Sequence, residues 1–90
     1  MSKLKGEMKL AVREHLINRK PLTRIEGLIL FGLASITKEI SDLRSEGWII
    51  NSRSIPYPAV IRRINKYAVF QPPAQVPVSE ITMTEYWVND

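Results

Sequence analysis

Apolar positions in the first half of the chain recur three and four residues apart, the repeat of one helix face. Over residues 5–19, Met8, Ala11, Val12, His15 and Leu16 share a stripe, and Pro21 ends the run. Thr23 and Glu26 then stand at the spacing of a capping box, in which the threonine hydroxyl accepts from the third helical amide and the glutamate reaches back to the cap amide. The helix they open is short, because Gly32 follows Phe31 and glycine readily takes the left-handed conformation that stops a helix. Ile25, Leu28, Ile29, Leu30 and Phe31 leave it little polar surface, so it should be mostly buried, and Gly27 lets another element approach closely. A third helix is expected over residues 35–46, with Ile36, Ile40 and Leu43 four and three apart and Gly47 as its stop.

Beyond Gly47 the pattern turns extended. Residues 48–50 and 67–70 both favour strands, the second with Tyr67 and Val69 on one face, and they read as the arms of a hairpin. Their connection, residues 51–65, holds Pro56 and Pro58, which cannot donate ladder hydrogen bonds, so an irregular projecting loop is expected. Tyr57 between them stiffens that loop or stacks on a partner. The break Gly32-Leu33-Ala34 permits only a sharp turn, which makes the second and third helices a helix-turn-helix. The expected fold class is therefore α+β, a winged helix-turn-helix: three helices, a two-stranded β-hairpin wing and a C-terminal tail.

Ninety residues suit one core plus a tail rather than two domains. The division is placed after residue 70, because Pro72, Pro73 and Pro77 break regular structure and mark residues 71–90 as linker and tail. Ile81, Met83, Tyr86, Trp87 and Val88 make the tail too apolar to be purely solvated, so it folds back on the body or adds a strand to a neighbouring chain, which would give a homodimer. Cysteine is absent, which excludes disulfides and thiolate metal sites, and no apolar run approaches the roughly 20 residues of a membrane span. No apolar signal segment follows the basic start, so a cytoplasmic location and no membrane partner are expected.

Charge sharpens the picture. Residues 1–70 hold all thirteen Lys and Arg against six acids, a balance of +7, while the last twenty residues carry −3. A basic body points to a polyanion. With Ile36, Ile40 and Leu43 inward, the third helix turns Ala34, Lys38, Ser41 and Ser45 outward, flanked by Thr37 and Arg44, with Ser35 at its start. Small and hydroxyl residues allow close approach to a major groove, and Lys or Arg can donate to guanine O6 and N7. Glu39, Asp42 and Glu46 fall on another edge, near solvent. The competing view of this helix is an ordinary amphipathic surface in which Lys38 and Asp42 pair at i, i+4.

The expected wing adds Arg53, Arg62, Arg63 and Lys66, with no acid between Gly47 and Ser79, which suits phosphates or a narrow minor groove; the alternative is a solvated basic loop. Thr23 and Arg24 open the second helix, where exposed amides commonly meet a phosphate, although Thr23 can serve as a cap alone. Lys3, Lys5 and Lys9 extend electrostatic reach. His15, the sole histidine, has no companion ligands and belongs at the core edge, and Trp48 reads as core. With no phosphate-cradling glycine loop and no nucleophile beside a base, no enzyme activity, cofactor, metal or small-molecule substrate is expected.

Leu22-Thr23, Phe31-Gly32, Asp42-Leu43-Arg44 and Gly47-Trp48 occur in an order that resembles small helix-turn-helix domains of bacteriophages and prophages. The likeness covers residues 21–50, about a third of the chain. It implies a winged helix that binds double-stranded DNA in a bacterial host cell, as a transcription regulator or an excision or packaging accessory. The chain departs from that pattern in its Pro-Tyr-Pro segment and its apolar tail. The rival function is a protein-interaction module, a phage-encoded inhibitor that uses the same scaffold to occupy a host protein. RNA binding has less in its favour, since no aromatic platform is visible.

Overall fold

A computed structural model describes residues 2–89, with the backbone alone for residues 2–6, so the side chains of Lys3 and Lys5 lie outside it. The fold of the described residues is α+β, with four helices and a three-stranded antiparallel sheet. In order these are α1 (Ser2–Ile17), β1 (Leu22–Thr23), α2 (Arg24–Phe31), α3 (Thr37–Ser45), β2 (Ile49–Pro56), α4 (Tyr57–Ile64) and β3 (Thr82–Asn89), with one 3-10 turn at Val78–Glu80. Among the described residues no helix is long and apolar enough to cross a membrane.

The local signals act where they stand. Thr23 caps α2 with both arms of the box: its hydroxyl accepts from the Glu26 amide at 3.3 Å, and the Glu26 carboxylate accepts from the Thr23 amide at 2.9 Å. Gly32 ends α2 at φ 69°, its amide donating to the Leu28 carbonyl. Ser35 stays outside α3 because its hydroxyl accepts from the Thr37 amide at 3.3 Å and donates to the Thr37 hydroxyl at 3.1 Å. Ile36 becomes the cap, and its carbonyl accepts from the Ile40 amide at 3.0 Å.

The second half differs from the expectation. Residues 67–70 form no strand, and Tyr67 and Val69 are 74% and 98% exposed. The strand that begins at Ile49 runs on to Pro56 and pairs along its whole length with residues 82–89, from Ile49 opposite Asn89 to Pro56 opposite Thr82. This pairing wins because it buries Ile50 and Val88 together on one face, whereas a partner at 67–70 would bring only one turn of apolar residues. Residues 71–90, expected as linker and tail, thus supply the middle strand, with β1 on its other side at Leu22–Tyr86 and Thr23–Glu85. The apolar tail packs on its own body.

Residues 51–65 are likewise no irregular loop. They finish β2 and then form α4, whose Tyr57, Val60 and Ile64 are buried. Pro58 is tolerated because it occupies the first turn, where its missing N–H has no intrahelical partner to lose. The Tyr57 amide donates instead to the Ile81 carbonyl at 2.9 Å, tying α4 to the chain that enters β3.

Residues alternate across the sheet, so its two faces serve two cores. One core joins Val12 and Leu16 of α1, Ile36, Ile40 and Leu43 of α3, and Leu22, Ile50 and Val88. The other joins α4 to Ile25, Ile29 and Leu30 of α2, with Ile55, Met83, Phe70 and Val78 around it. α3 and α4 therefore lie on opposite faces. Glu39, expected near solvent, is 4% exposed, because α1 closes over its side of α3.

Gly27 is where α2 meets the cap of α3: a Cβ there would stand 2.5 Å from Cγ2 of Ile36, a β-branched methyl of a buried residue. Gly27→Ala gains about 1 kcal/mol of helix propensity. It forces a repacking that exceeds this gain, so urea denaturation should show a net loss of about 1–2 kcal/mol.

Candidate nucleic-acid interface

The outward side of α3 is uncovered. Thr37, Lys38, Ser41, Arg44 and Ser45 are all exposed, as are Ser35 and Ala34 just before them. Two hollows border this side. The first lies between Thr37, Ile40, Ser41 and Arg44 of α3 and the ring of Tyr86 on β3. The second, of about 510 Å³, lies where β1 ends and the edge of β3 opens; it is lined by Arg24, Ile25, Leu28, Ala34, Met83, Thr84 and Tyr86. Tyr86 belongs to both, and neither has an acid in its lining. The surface is a shallow trough with hydroxyls along it and an arginine on each side.

Its cations are positioned unequally. Arg44 donates through Nη2 to the Ile50 carbonyl at 2.9 Å, which tethers its guanidinium near the start of β2. Arg24 stands exposed in the first turn of α2. Lys38 reaches Asp42 at 3.4 Å, so the i, i+4 pairing does form, as an exposed contact that a stronger anion can displace. The Ser45 hydroxyl turns back on its own helix, donating to the carbonyls of Ser41 and Asp42, and has no donor left for a partner. Glu46, at the end of α3, is held by a bidentate ion pair with Arg13 at 2.7 and 2.9 Å, on the side facing α1.

The other expected contacts do not join this surface. Thr23 is 1% exposed and fully engaged in its cap, so it cannot meet a phosphate. Arg63, expected on a wing, is drawn inward: it donates through Nη2 and Nε to Glu26 at 2.5 and 3.1 Å and through Nη1 to Glu85. Arg53 donates through Nε to Glu85 at 2.6 Å and lies 5.1 Å over the ring of Trp87, on the sheet face opposite α3. Arg62 and Lys66 are exposed at the far end of α4, also away from α3. A basic wing beside the helix is thus absent from the described residues; a helix folded onto the second core replaces it.

The pairing of Glu26, Glu85, Arg63 and Arg53 is electrically balanced. Both carboxylates are buried, and burial alone would push the Glu85 carboxyl upward; the hydrogen bonds from Arg63 and Arg53 outweigh it and hold it below the ordinary range. Burial likewise opposes the charged Arg63, and its bonds to Glu26 and Glu85 prevail, raising it. His15 sits at the core edge, with a ring nitrogen 3.0 Å from the Pro21 carbonyl and its ring against Phe31. Among the described residues no three metal-ligating side chains converge.

Tyr86 and Thr84 were not among the residues expected at the site. Their signal was the alternation Thr82, Thr84, Tyr86, Val88 within the tail, which marks a strand with one face turned to the body. No family model, curated protein or solved structure matches this chain.

Arg63→Ala leaves two buried carboxylates without their shared partner and should lower stability by about 3–5 kcal/mol. Arg53→Ala, at a mostly exposed guanidinium, should cost about 1 kcal/mol or less in the same thermal melts. Because the folded-state pKa of Glu85 is depressed, its contribution is complete above the ordinary carboxylate range and is lost as pH falls through the folded value. Melting temperature should therefore decline from about pH 5 downward, and Glu85→Gln should flatten that decline.

Proposed function

We propose that this chain binds duplex DNA as a winged helix-turn-helix, with α3 entering the major groove. The observation that carries the reading is the uncovered side of α3 beside an acid-free trough, with Thr37, Ser41, Arg44, Arg24 and Tyr86 gathered there. The element order supports it: a short strand between the first two helices, a sharp turn between the second and third, and a sheet in the order β1-β3-β2. In this reading α4 and the segment after it take the wing's place in chain order, between β2 and β3, but fold back on the sheet face opposite α3. Small hydroxyl residues let the helix approach base edges, while Lys38, once released from Asp42, and Arg44 supply donors to guanine. The likeness of residues 21–50 to phage helix-turn-helix domains makes a regulator or DNA-transaction accessory of a bacterial virus the natural role.

One observation favours a protein-binding role instead: the larger hollow is lined by Ile25, Leu28, Ala34 and Met83, and Leu28 is 52% exposed. An inhibitor of a host protein would use such a surface. Pull-down from nuclease-treated lysate separates the two, since a DNA binder loses its companions there.

Selection of sites from a random duplex pool, followed by anisotropy titrations over a range of salt, tests the proposal. With about four phosphate contacts, log K should fall with log salt at a slope near −3 to −4. Lys38→Ala and Arg44→Ala should each narrow the gap between selected and random duplex by about ten-fold. Absence of salt-sensitive duplex binding by the folded chain would overturn the reading.

A further inference from the structure

The far end of α4 carries chemistry that the α3 side does not use. Residues 66–69 hold two large apolar side chains out in solvent, Tyr67 at 74% and Val69 at 98% exposure, yet the segment is a closed, pinned turn. The Asn65 side chain closes it, donating through Nδ2 to the carbonyls of Ile61 at 2.8 Å and Phe70 at 2.9 Å and accepting from the Phe70 amide at 3.2 Å. Inside the turn the amides of Tyr67 and Ala68 both donate to the Ile64 carbonyl, at 2.9 and 3.0 Å. Ile64 below and Phe70 beyond pack into the second core, so the turn has an anchor at each end. A backbone already held in one conformation has less entropy to lose when the turn binds.

We propose that this turn is a second contact for duplex DNA, in which Tyr67 and Val69 press against a base step while Arg62 and Lys66 grip the flanking phosphates. The inference rests on the duplex-binding reading of α3. Charge selects this partner. Arg62 and Lys66 are the exposed cations of this end, four residues apart, and no acid occurs between Gly47 and Ser79. Glu26, from the packed face of α2, is buried and neutralised by Arg63. Glu80 lies beside Ile81, whose carbonyl takes the Tyr57 amide at the opposite end of α4, about 12 Å away along the helix. The end-carbonyl charge of α4 is met by the amides of Asn65, Lys66, Tyr67 and Ala68. What remains is a positive tip with an aromatic ring and a branched aliphatic side chain at its point, the composition of a wedge between stacked bases.

The test uses a duplex recovered from a random pool by the wild-type chain, with 2-aminopurine placed in turn at each adenine. The wild type should raise the fluorescence of the probe at one step outside the segment protected by α3. Tyr67→Ala combined with Val69→Ser should abolish that signal and weaken binding about ten-fold, with an unchanged melting temperature. Arg62→Ala and Lys66→Ala should each reduce the salt slope by about one unit. Equal affinity and equal fluorescence for the tip variant, in a wild type that binds duplex, would overturn this proposal alone. Capture of a host protein that Tyr67→Ala abolishes, without any change in duplex binding, would do the same. A wild type that binds no duplex overturns the reading of α3 and this proposal together.

Discussion

Two carboxylates that folding has taken out of water, Glu26 and Glu85, are held by one guanidinium, that of Arg63, and the arrangement of the second half of the molecule depends on it. Glu26 is already committed to the cap of α2, so Arg63 reads the start of that helix. Glu85 sits at one of the two levels of the described sheet where all three strands meet, opposite Thr23 on one side and Arg53 on the other. To bring Arg63 to both, α4 must fold back onto the sheet face opposite α3 instead of projecting beyond the hairpin. A buried ion group of this kind adds little net stability over well-packed apolar residues, but an outward α4 would take from two buried carboxylates the cation they share, leaving Glu85 with Arg53 alone. That penalty makes the geometry specific.

The same interaction shapes the surface available for a partner. It draws Arg63 partly out of solvent and binds Arg53 to the sheet, so the basic excess of residues 1–70 is not spread evenly. With α4 drawn to the other face, nothing of the second core covers the outward side of α3, and the sheet contributes Tyr86 and Thr84 to the trough beside it. On the α1 side, Glu39 is buried and Glu46 is paired with Arg13, which leaves Asp42, held by Lys38, as the exposed acid of that helix without a strong partner. Packing and pairing together turn an ordinary amphipathic helix into one with a hydroxyl-lined outer side, bordered by arginines, on which Asp42 is the one acid without a strong partner.

What could be read from the chain was local. Thr23 with Glu26, Gly32 after Phe31, and the run Ile36, Ile40, Leu43 act within one or two turns, and each produced the element expected of it. What could not be read was decided by residues far apart. Arg53 and Arg63 looked like free cations because their partner Glu85 lies 32 and 22 positions away, in a tail that three prolines had set apart from the body. Tyr67 to Phe70 has strand-favouring composition, yet a strand needs a neighbour, and the better partner for Ile50 was Val88. α4 was hidden by Pro56 and Pro58, which signal a loop until one notes that a proline in the first helical turn costs nothing there. The spacing Tyr57, Val60, Ile64 was the opposing signal, and burial shows that it prevailed.

Which surface meets a duplex decides the role of α3 most directly. An NMR titration of isotope-labelled protein with a selected duplex reads this residue by residue. It should shift the amides of Arg24, Thr37, Ser41, Arg44 and Tyr86 in a salt-sensitive manner, while Val12 and Leu16 inside the first core stay in place. Amides of α3 that remain unmoved at saturating duplex, with the response confined to other elements, would contradict it.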